Sequence, residues 1–520
     1  MTRSPTPVVA LAAGGRPARA RLAGPTVAVS DGLLRALRNA CAQVDTDPDS
    51  LADASRDWWP LAVHWALGGQ VPALPSVVAR PTDTSQLAAV LYLCNQAEVP
   101  VTTMAGRSGV CGASVPAFGG VALDMCGLAG IMQVDDTSLL VKVAAGTFGP
   151  DLEDPLRRDY QLTIGHWPQS MALSTVGGWV ACRSAGQYST RYGKIEDIVA
   201  GLEVVLASGQ VIHTGGRAPR SATGPDLTRC LVGSEGTLGV ITSALLRAHP
   251  LPPTELSAAY TFESFEAGLE ACRLTLRRGA TPAVLRLYDE AESARSLGIS
   301  PGCALVALDE GDEAIVGASM GILDQECREA GGEPAGPGQA GPGETGPGQA
   351  GAGGGGRNSL VEHWLRTRND VPSLGDLYGA GLVVDTIEVA ARWSGLPGLY
   401  RSGVAALAAV GGTIGASAHC SHAYTDGGCV YFTFAGQPGA EKVEDYYRAC
   451  WAALMTATIS AGGTISHHHG IGLNRARWMR SELGAAFDAL SALKAALDPV
   501  GILNPGKLGL NSPWGPSPWQ

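Results

Sequence analysis

Met104-Ala105-Gly106-Arg107-Ser108-Gly109-Val110-Cys111-Gly112-Ala113-Ser114 is the stretch on which the fold turns. It follows an apolar run at 99–104 that reads as a strand. Gly106, Gly109 and Gly112 stand three residues apart. That is neither the GxGxxG of a nicotinamide-binding fold nor a Walker loop, which requires Gly-Lys-Ser/Thr. The physics is related, because small residues expose successive backbone N–H groups that can cradle a pyrophosphate. Alone, an ordinary tight turn explains the stretch equally well. Two further clusters tip the balance. One is Gly165-His166-Trp167-Pro168-Gln169-Ser170-Met171-Ala172-Leu173-Ser174-Thr175-Val176-Gly177-Gly178-Trp179. The other is Gly233-Ser234-Glu235-Gly236-Thr237-Leu238-Gly239, which leads straight into an apolar strand at 240–246. Three such loops predict a long ligand, a dinucleotide, lying against bare backbone.

Outward from these loops, the chain of 520 residues allows three or four domains, or two large ones. Its 37 Lys and Arg against 48 Asp and Glu leave a charge of −11, which argues against a nucleic-acid partner. Hydrophobic residues at 45% and charged residues at 16% exclude a mostly disordered chain. The 12 cysteines are scattered without CxxC spacing, so buried thiols are expected rather than a zinc knuckle or a disulfide scaffold. The apolar run at 8–13 is broken at once by Gly14, Gly15 and Arg16, too short for a signal peptide. No run of about 20 apolar residues predicts a spanning helix, and the expected location is the cytoplasm.

The elements alternate short strands with helices, an α+β pattern. Residues 1–30 read as a disordered arm and 31–75 as a helical segment opened by Ser30-Asp31. Residues 76–250 hold the glycine loops, and 251–510 form a second α+β unit with antiparallel strands. Residues 331–357 interrupt it as a disordered Gly/Pro insert, whose GPG triplets repeat every five residues and so do not fit collagen. Residues 511–520 are a tail.

The loop at 106–114, Pro81-Thr82-Asp83, Ser174-Thr175-Val176-Gly177-Gly178, Ile195-Glu196-Asp197 and the 233–239 loop resemble, in order and spacing, the flavin domain of the vanillyl-alcohol oxidase / p-cresol methylhydroxylase superfamily. The resemblance implies a two-subdomain FAD-binding (PCMH-type) domain at 76–250 and an α+β cap domain over the flavin at 251–510. It implies that Gly106, Arg107, Ser108, Gly109, Gly112, Ala113 and Ser114 hold the pyrophosphate. Pro168, Ser170, Ser174, Thr175 and Gly178 would line the flavin, and Glu235, Gly236, Thr237, Gly239 and Ile241 the adenosine half. No His or Cys stands where a covalent flavin link would form, so non-covalent FAD is expected.

The second unit carries Ser466-His467-His468-His469-Gly470. At a strand end, His467 and His469 would share a face and His468 oppose them. A metal site needs convergent ligands that adjacent residues rarely supply alone, so no metal is expected. Imidazoles titrating near neutral pH suit proton transfer instead. Tyr424 precedes a turn at 425–428 and can project into a cavity. With Arg286-Leu287-Tyr288-Asp289, Trp364-Leu365-Arg366-Thr367-Arg368 and Asp385-Thr386-Ile387-Glu388, these blocks resemble the alkyldihydroxyacetonephosphate synthase branch of the superfamily.

That branch implies exchange of acyl for alkyl on a dihydroxyacetone-phosphate ester, through a flavin N5 adduct and without net redox change, in ether lipid synthesis. Carried over, Tyr424 is the acid/base, His467, His468 and His469 serve proton transfer, and Arg286, Arg183 and His422 contact the substrate. An arginine expected shortly before the tyrosine is replaced by His419-Cys420-Ser421-His422, which predicts an altered phosphate clamp. The alternative is an FAD-dependent oxidoreductase, oxidase or dehydrogenase, of a hydroxy acid or other alcohol. The metal-binding histidines typical of the 2-hydroxyacid dehydrogenases are missing from Gly427-Gly428-Cys429-Val430-Tyr431-Phe432. The expected partner is a small-molecule or lipid-precursor substrate; peripheral membrane contact and a homodimer stay open.

Overall fold

The computed structural model describes residues 18–22, 24–335, 358–369 and 374–519. Most of the Gly/Pro insert, at 336–357, and the first seventeen residues lie outside the described residues.

Two sheets build the region of the glycine loops. In the first, Val77–Arg80, Val121–Asp124 and Val101–Met104 run parallel, with Gln43–Asp45 antiparallel on the edge. Parallel strands covered on both faces read as unbroken apolar runs, and Val77, Val78 and Ala79 are all buried. The helix Thr84–Gln96 connects two of them, opened by Asp83 accepting from the Gln86 N–H at 2.9 Å. The second sheet is antiparallel, in the order Val211–Gly215, Val199–Val205, Val240–Arg247, Leu140–Ala144, Ile131–Asp135. Val141 and Val143 alternate into its core, as the sequence pattern requires.

The third sheet has seven strands in antiparallel pairs: Glu333–Pro334, Thr254–Phe262, Cys303–Gly311, Val284–Tyr288, Thr413–Ala423, Gly427–Gly436 and Val383–Arg392. The helices Phe265–Arg277 and Leu396–Ala408 bury its apolar face, where Leu287, Phe432 and Phe434 sit. The opposite face carries Arg286, Tyr288, His419, Tyr431 and Thr433. Register sets these residues side by side: Tyr288 pairs with His419, His419 with Tyr431, and Tyr431 with Glu388 on its other flank.

Two segments differ from expectation. Described residues of the 1–30 arm are tied down: Arg19–Ala20 pairs with Gln70–Val71, and the Val27 N–H donates to the Phe118 carbonyl at 2.9 Å. Near the other end the chain returns to the first sheet. The Val101 N–H donates to the Ile502 carbonyl and the Asn504 N–H to the Val101 carbonyl, both at 2.8 Å. In the 511–520 tail, Trp519 is buried against Trp59 and Trp65.

Candidate active site

All three glycine loops line one cavity, whose empty space of about 1580 Å³ includes a part open to solvent. The first loop contributes Gly106, Arg107, Ser108, Gly109, Ala113 and Ser114. The second contributes Pro168, Ser170, Ser174, Thr175 and Gly178, and the third Glu235, Gly236, Gly239 and Ile241. Gly106 shows why bare backbone is needed: a Cβ there would lie 2.2 Å from the Leu173 carbonyl oxygen, so any side chain would push the first two loops apart.

Two expected cofactor contacts, Gly112 and Thr237, do not line this cavity, and two that do, Arg107 and Glu235, also bond within the protein. Gly112 packs on the Trp59 ring and Leu473 instead of lining the cavity. Thr237 also turns inward, its hydroxyl donating to the Ser234 carbonyl at 2.7 Å. The Arg107 guanidinium donates to the Asp53 carbonyl and carboxylate, each at 2.8 Å. The Glu235 carboxylate accepts the Ile471 and Gly472 N–H groups at 2.5 and 2.9 Å, and so fastens the loop that follows the histidines.

The triple histidine does not end a strand. Residues 467–469 run through bends, so strand alternation does not apply, and the His467 ring packs on Tyr424 while the His468 and His469 rings pack on Tyr431. His468 and His469 reach the cavity wall together with Tyr431. The Tyr431 hydroxyl lies 2.6 Å from His468 Nε2 and 3.0 Å from His469 Nε2, and His468 Nδ1 is 2.8 Å from His467 Nδ1. A hydroxyl donates once. A consistent assignment has His469 Nε2–H donating to Tyr431, Tyr431 donating to His468 Nε2, and His468 Nδ1–H donating to His467. The result is a hydrogen-bonded file of four titratable groups that opens on the cavity. Burial drives the His467 and His468 imidazoles well below their ordinary value, and His469 to about 4, so all three are neutral near pH 7. Burial likewise holds the Tyr431 phenol protonated.

Glu388 holds this loop. Its Oε1 accepts the His468 N–H at 3.1 Å, the His469 N–H at 2.5 Å and the Ser466 hydroxyl at 3.1 Å. Its Oε2 pairs with Arg475 at 2.8 Å, both side chains being wholly buried. Burial alone would raise the Glu388 carboxyl; Arg475 and the His469 N–H together outweigh it and hold the carboxyl below its ordinary value.

Beyond His467 lie the remaining expected residues. His422 stacks on His467 with ring centroids 5.1 Å apart, and the Ser189 hydroxyl is within 2.8 Å of His422 Nδ1 and 3.1 Å of the Tyr424 hydroxyl. Nitrogens of His422, His467 and His468 come within 4.8 Å of one another, a convergence the strand-end reading did not foresee. Tyr424 is not among the residues that line the cavity, whereas Tyr431 is. Tyr431 went unrecognised in the sequence; the signal was the alternation of Cys429, Tyr431 and Thr433 against the apolar Val430, Phe432 and Phe434.

Arg286 donates to the Tyr288 hydroxyl and to His419 Nε2, both at 2.7 Å. Because arginine only donates, His419 accepts there and its Nδ1–H donates to Glu292 at 2.6 Å. His419 is therefore a neutral prop for Arg286. A second guanidinium, missed in the sequence reading, comes from the end of the helix Ser359–Thr367. Arg368 stacks on Tyr188 and Trp364 at 5.2 and 5.3 Å, and its Nε and Nη1 are buried without a partner among the described residues. Arg183 stands apart: its guanidinium is half exposed and pairs with Glu196 at 3.1 Å.

A nucleotide cavity walled by two subdomains and a capping sheet defines a two-domain flavoprotein. Residues 75–215 match the FAD binding domain family, and residues 251–508 match the C-terminal domain of the FAD linked oxidases. The chain belongs to the FAD-linked oxidases, with a PCMH-type FAD-binding fold, and FAD is its cofactor. An uncharacterized FAD-linked oxidoreductase of Escherichia coli (strain K12) is 29% identical over 464 residues, 84% of this chain and 89% of that one. The alkyldihydroxyacetonephosphate synthase of Trypanosoma brucei brucei is 29% identical over 469 residues, 85% of this chain and 74% of that one. A glycolate oxidase subunit of Bacillus subtilis (strain 168) is 28% identical over 450 residues, 84% of this chain and 90% of that one. Among solved structures, an alkyldihydroxyacetonephosphate synthase superposes with a TM-score of 0.73 at 22% identity, covering 94% of this chain and 87% of the other. Substrate-bound p-cresol methylhydroxylase gives 0.71 at 20% identity, covering 94% and 99%.

Proposed function

We propose that this enzyme replaces the acyl group of a dihydroxyacetone-phosphate ester by an alkyl ether, giving the kind of product its synthase relatives are named for. The reaction balances without an external oxidant: the acyl carboxylate leaves with its oxygen, the alcohol oxygen bonds to the same carbon, and one proton passes from alcohol to carboxylate. Bound FAD would supply the electrophilic ring on which that carbon is activated.

The observation that carries this reading is the file His469–Tyr431–His468–His467 at the wall of the flavin cavity. Its neutral members can both take up and return a proton, as an exchange without net redox requires. In this reading Arg286 and Arg368 are the guanidiniums that meet the phosphate, since two suit a dianion better than one. Arg368 thus stands in for the arginine expected before Tyr424. FAD is read as non-covalent: burial raises the Cys182 thiol at the cavity wall, so no thiolate is poised there, and His468 and His469 are engaged by Tyr431. No helix among the described residues is long and apolar enough to cross a membrane.

The second reading is a flavin-dependent oxidase or dehydrogenase of a hydroxy acid or other alcohol. It draws on the same neutral imidazoles, which can accept an alcohol proton. An anaerobic screen that follows flavin absorbance separates the two, with acyl-dihydroxyacetone phosphate plus a long-chain alcohol assayed in parallel. Ether formation without bleaching supports exchange; bleaching by an alcohol or hydroxy acid, restored by air, with no ether formed, refutes it.

A further inference from the structure

Residues 54–59 precede both family matches, which begin at 75 and 251. Yet this segment forms part of the cofactor cavity. The Trp58 backbone N–H donates to the Gly109 carbonyl at 2.9 Å, joining the segment to the first glycine loop. Next to it the buried Asp57 accepts from the Trp59 N–H at 3.1 Å. From the other direction Arg107 reaches back to Asp53. These bonds clamp the segment along the loop.

Between the clamps, the Trp58 side chain lines the cavity. Its indole Nε1 is buried and has no hydrogen-bond partner among the described residues. A buried donor left unmet is destabilising, and native structures satisfy nearly all of them. FAD carries phosphate, ribityl and carbonyl oxygens, any of which is an acceptor for such a donor.

We propose that Trp58 is a cofactor-binding residue, its indole packing on bound FAD and its N–H donating to a FAD oxygen. Cofactor retention then depends on a segment that neither FAD-linked oxidase domain contains. The test is FAD release from the holoenzyme, read as recovery of flavin fluorescence after dilution, with circular dichroism confirming the fold. Trp58→Phe keeps most of the ring and loses the donor; its release should be about tenfold faster. Trp58→His, which keeps a ring N–H, should fall between Phe and the parent. Should Trp58→Phe fail to fold, Trp58→Leu is read in its place, with the same expectation. Release within twofold of the parent in the donor-less variant overturns the proposal. Equal losses in the His and donor-less variants overturn the N–H donation.

Discussion

Removing Glu388 tests how the histidine loop is held. In Glu388→Leu, Arg475 keeps its charge in wholly buried surroundings, and the His468 and His469 N–H groups lose their acceptor. Breaking a buried pair by deleting one partner costs about 3–5 kcal/mol. Against a total stability of about 5–15 kcal/mol the variant should fold but melt far earlier. Arg475→Met should cost about as much, for the mirror reason that Glu388 is left as an uncompensated buried anion. Replacing both, as Glu388→Leu with Arg475→Met, removes two charges at once, and such swaps are often near neutral. The cycle, measured by urea denaturation of the FAD-loaded protein, should show a coupling of at least about 3 kcal/mol. The activity outcome should part from the stability outcome, because the double variant regains stability while His468 and His469 lose their anchor. Single costs below about 1 kcal/mol, or strict additivity, would refute the assignment of this pair.

Tyr431→Phe breaks the file of proton-carrying groups and should lower turnover by about 10²–10⁴-fold, whereas Tyr424→Phe should cost far less; steady-state kinetics on both variants decides between the two tyrosines. Arg368→Ala should raise KM for an anionic substrate by about tenfold or more, the scale of a charged hydrogen bond, and leave an uncharged analogue unaffected. In acid, the unfolded chain takes up protons at histidines that the fold keeps neutral, so their contribution is present above about pH 6.5 and is lost as pH falls toward about 4 for His469. The carboxyls of Asp57 and Glu153, raised by burial to about 7, act in the opposite sense. Comparing the parent with His469→Asn isolates the histidine: the melting temperature of the variant should decline less steeply from pH 6.5 to 5.

The cofactor site was legible because each of its pieces is contiguous: a glycine loop announces itself in a dozen residues. The histidine file was legible only in its local part. His467, His468 and His469 are neighbours in sequence, but Tyr431 joins them through strand register, and register is set by pairing across the sheet. Glu388 and Arg368 were visible as members of blocks, without their roles. Nothing within Asp385-Thr386-Ile387-Glu388 says that its last carboxylate will meet backbone N–H groups 80 residues on. Glu235 is the converse case. Its place in a glycine loop suggested the adenosine half; it does line the cavity, and its carboxylate also fastens Ile471 and Gly472.

The return of Ile502 and Asn504 to Val101 has a consequence for biosynthesis. The first sheet's edge stays open until residue 504 has left the ribosome, about 400 residues after Val101. A fragment ending near residue 250 would present that edge, with its unpaired N–H and C=O groups, to any other nascent strand. Recombinant flavin-domain truncations should therefore aggregate, and useful ones will need residues 498–507 grafted back.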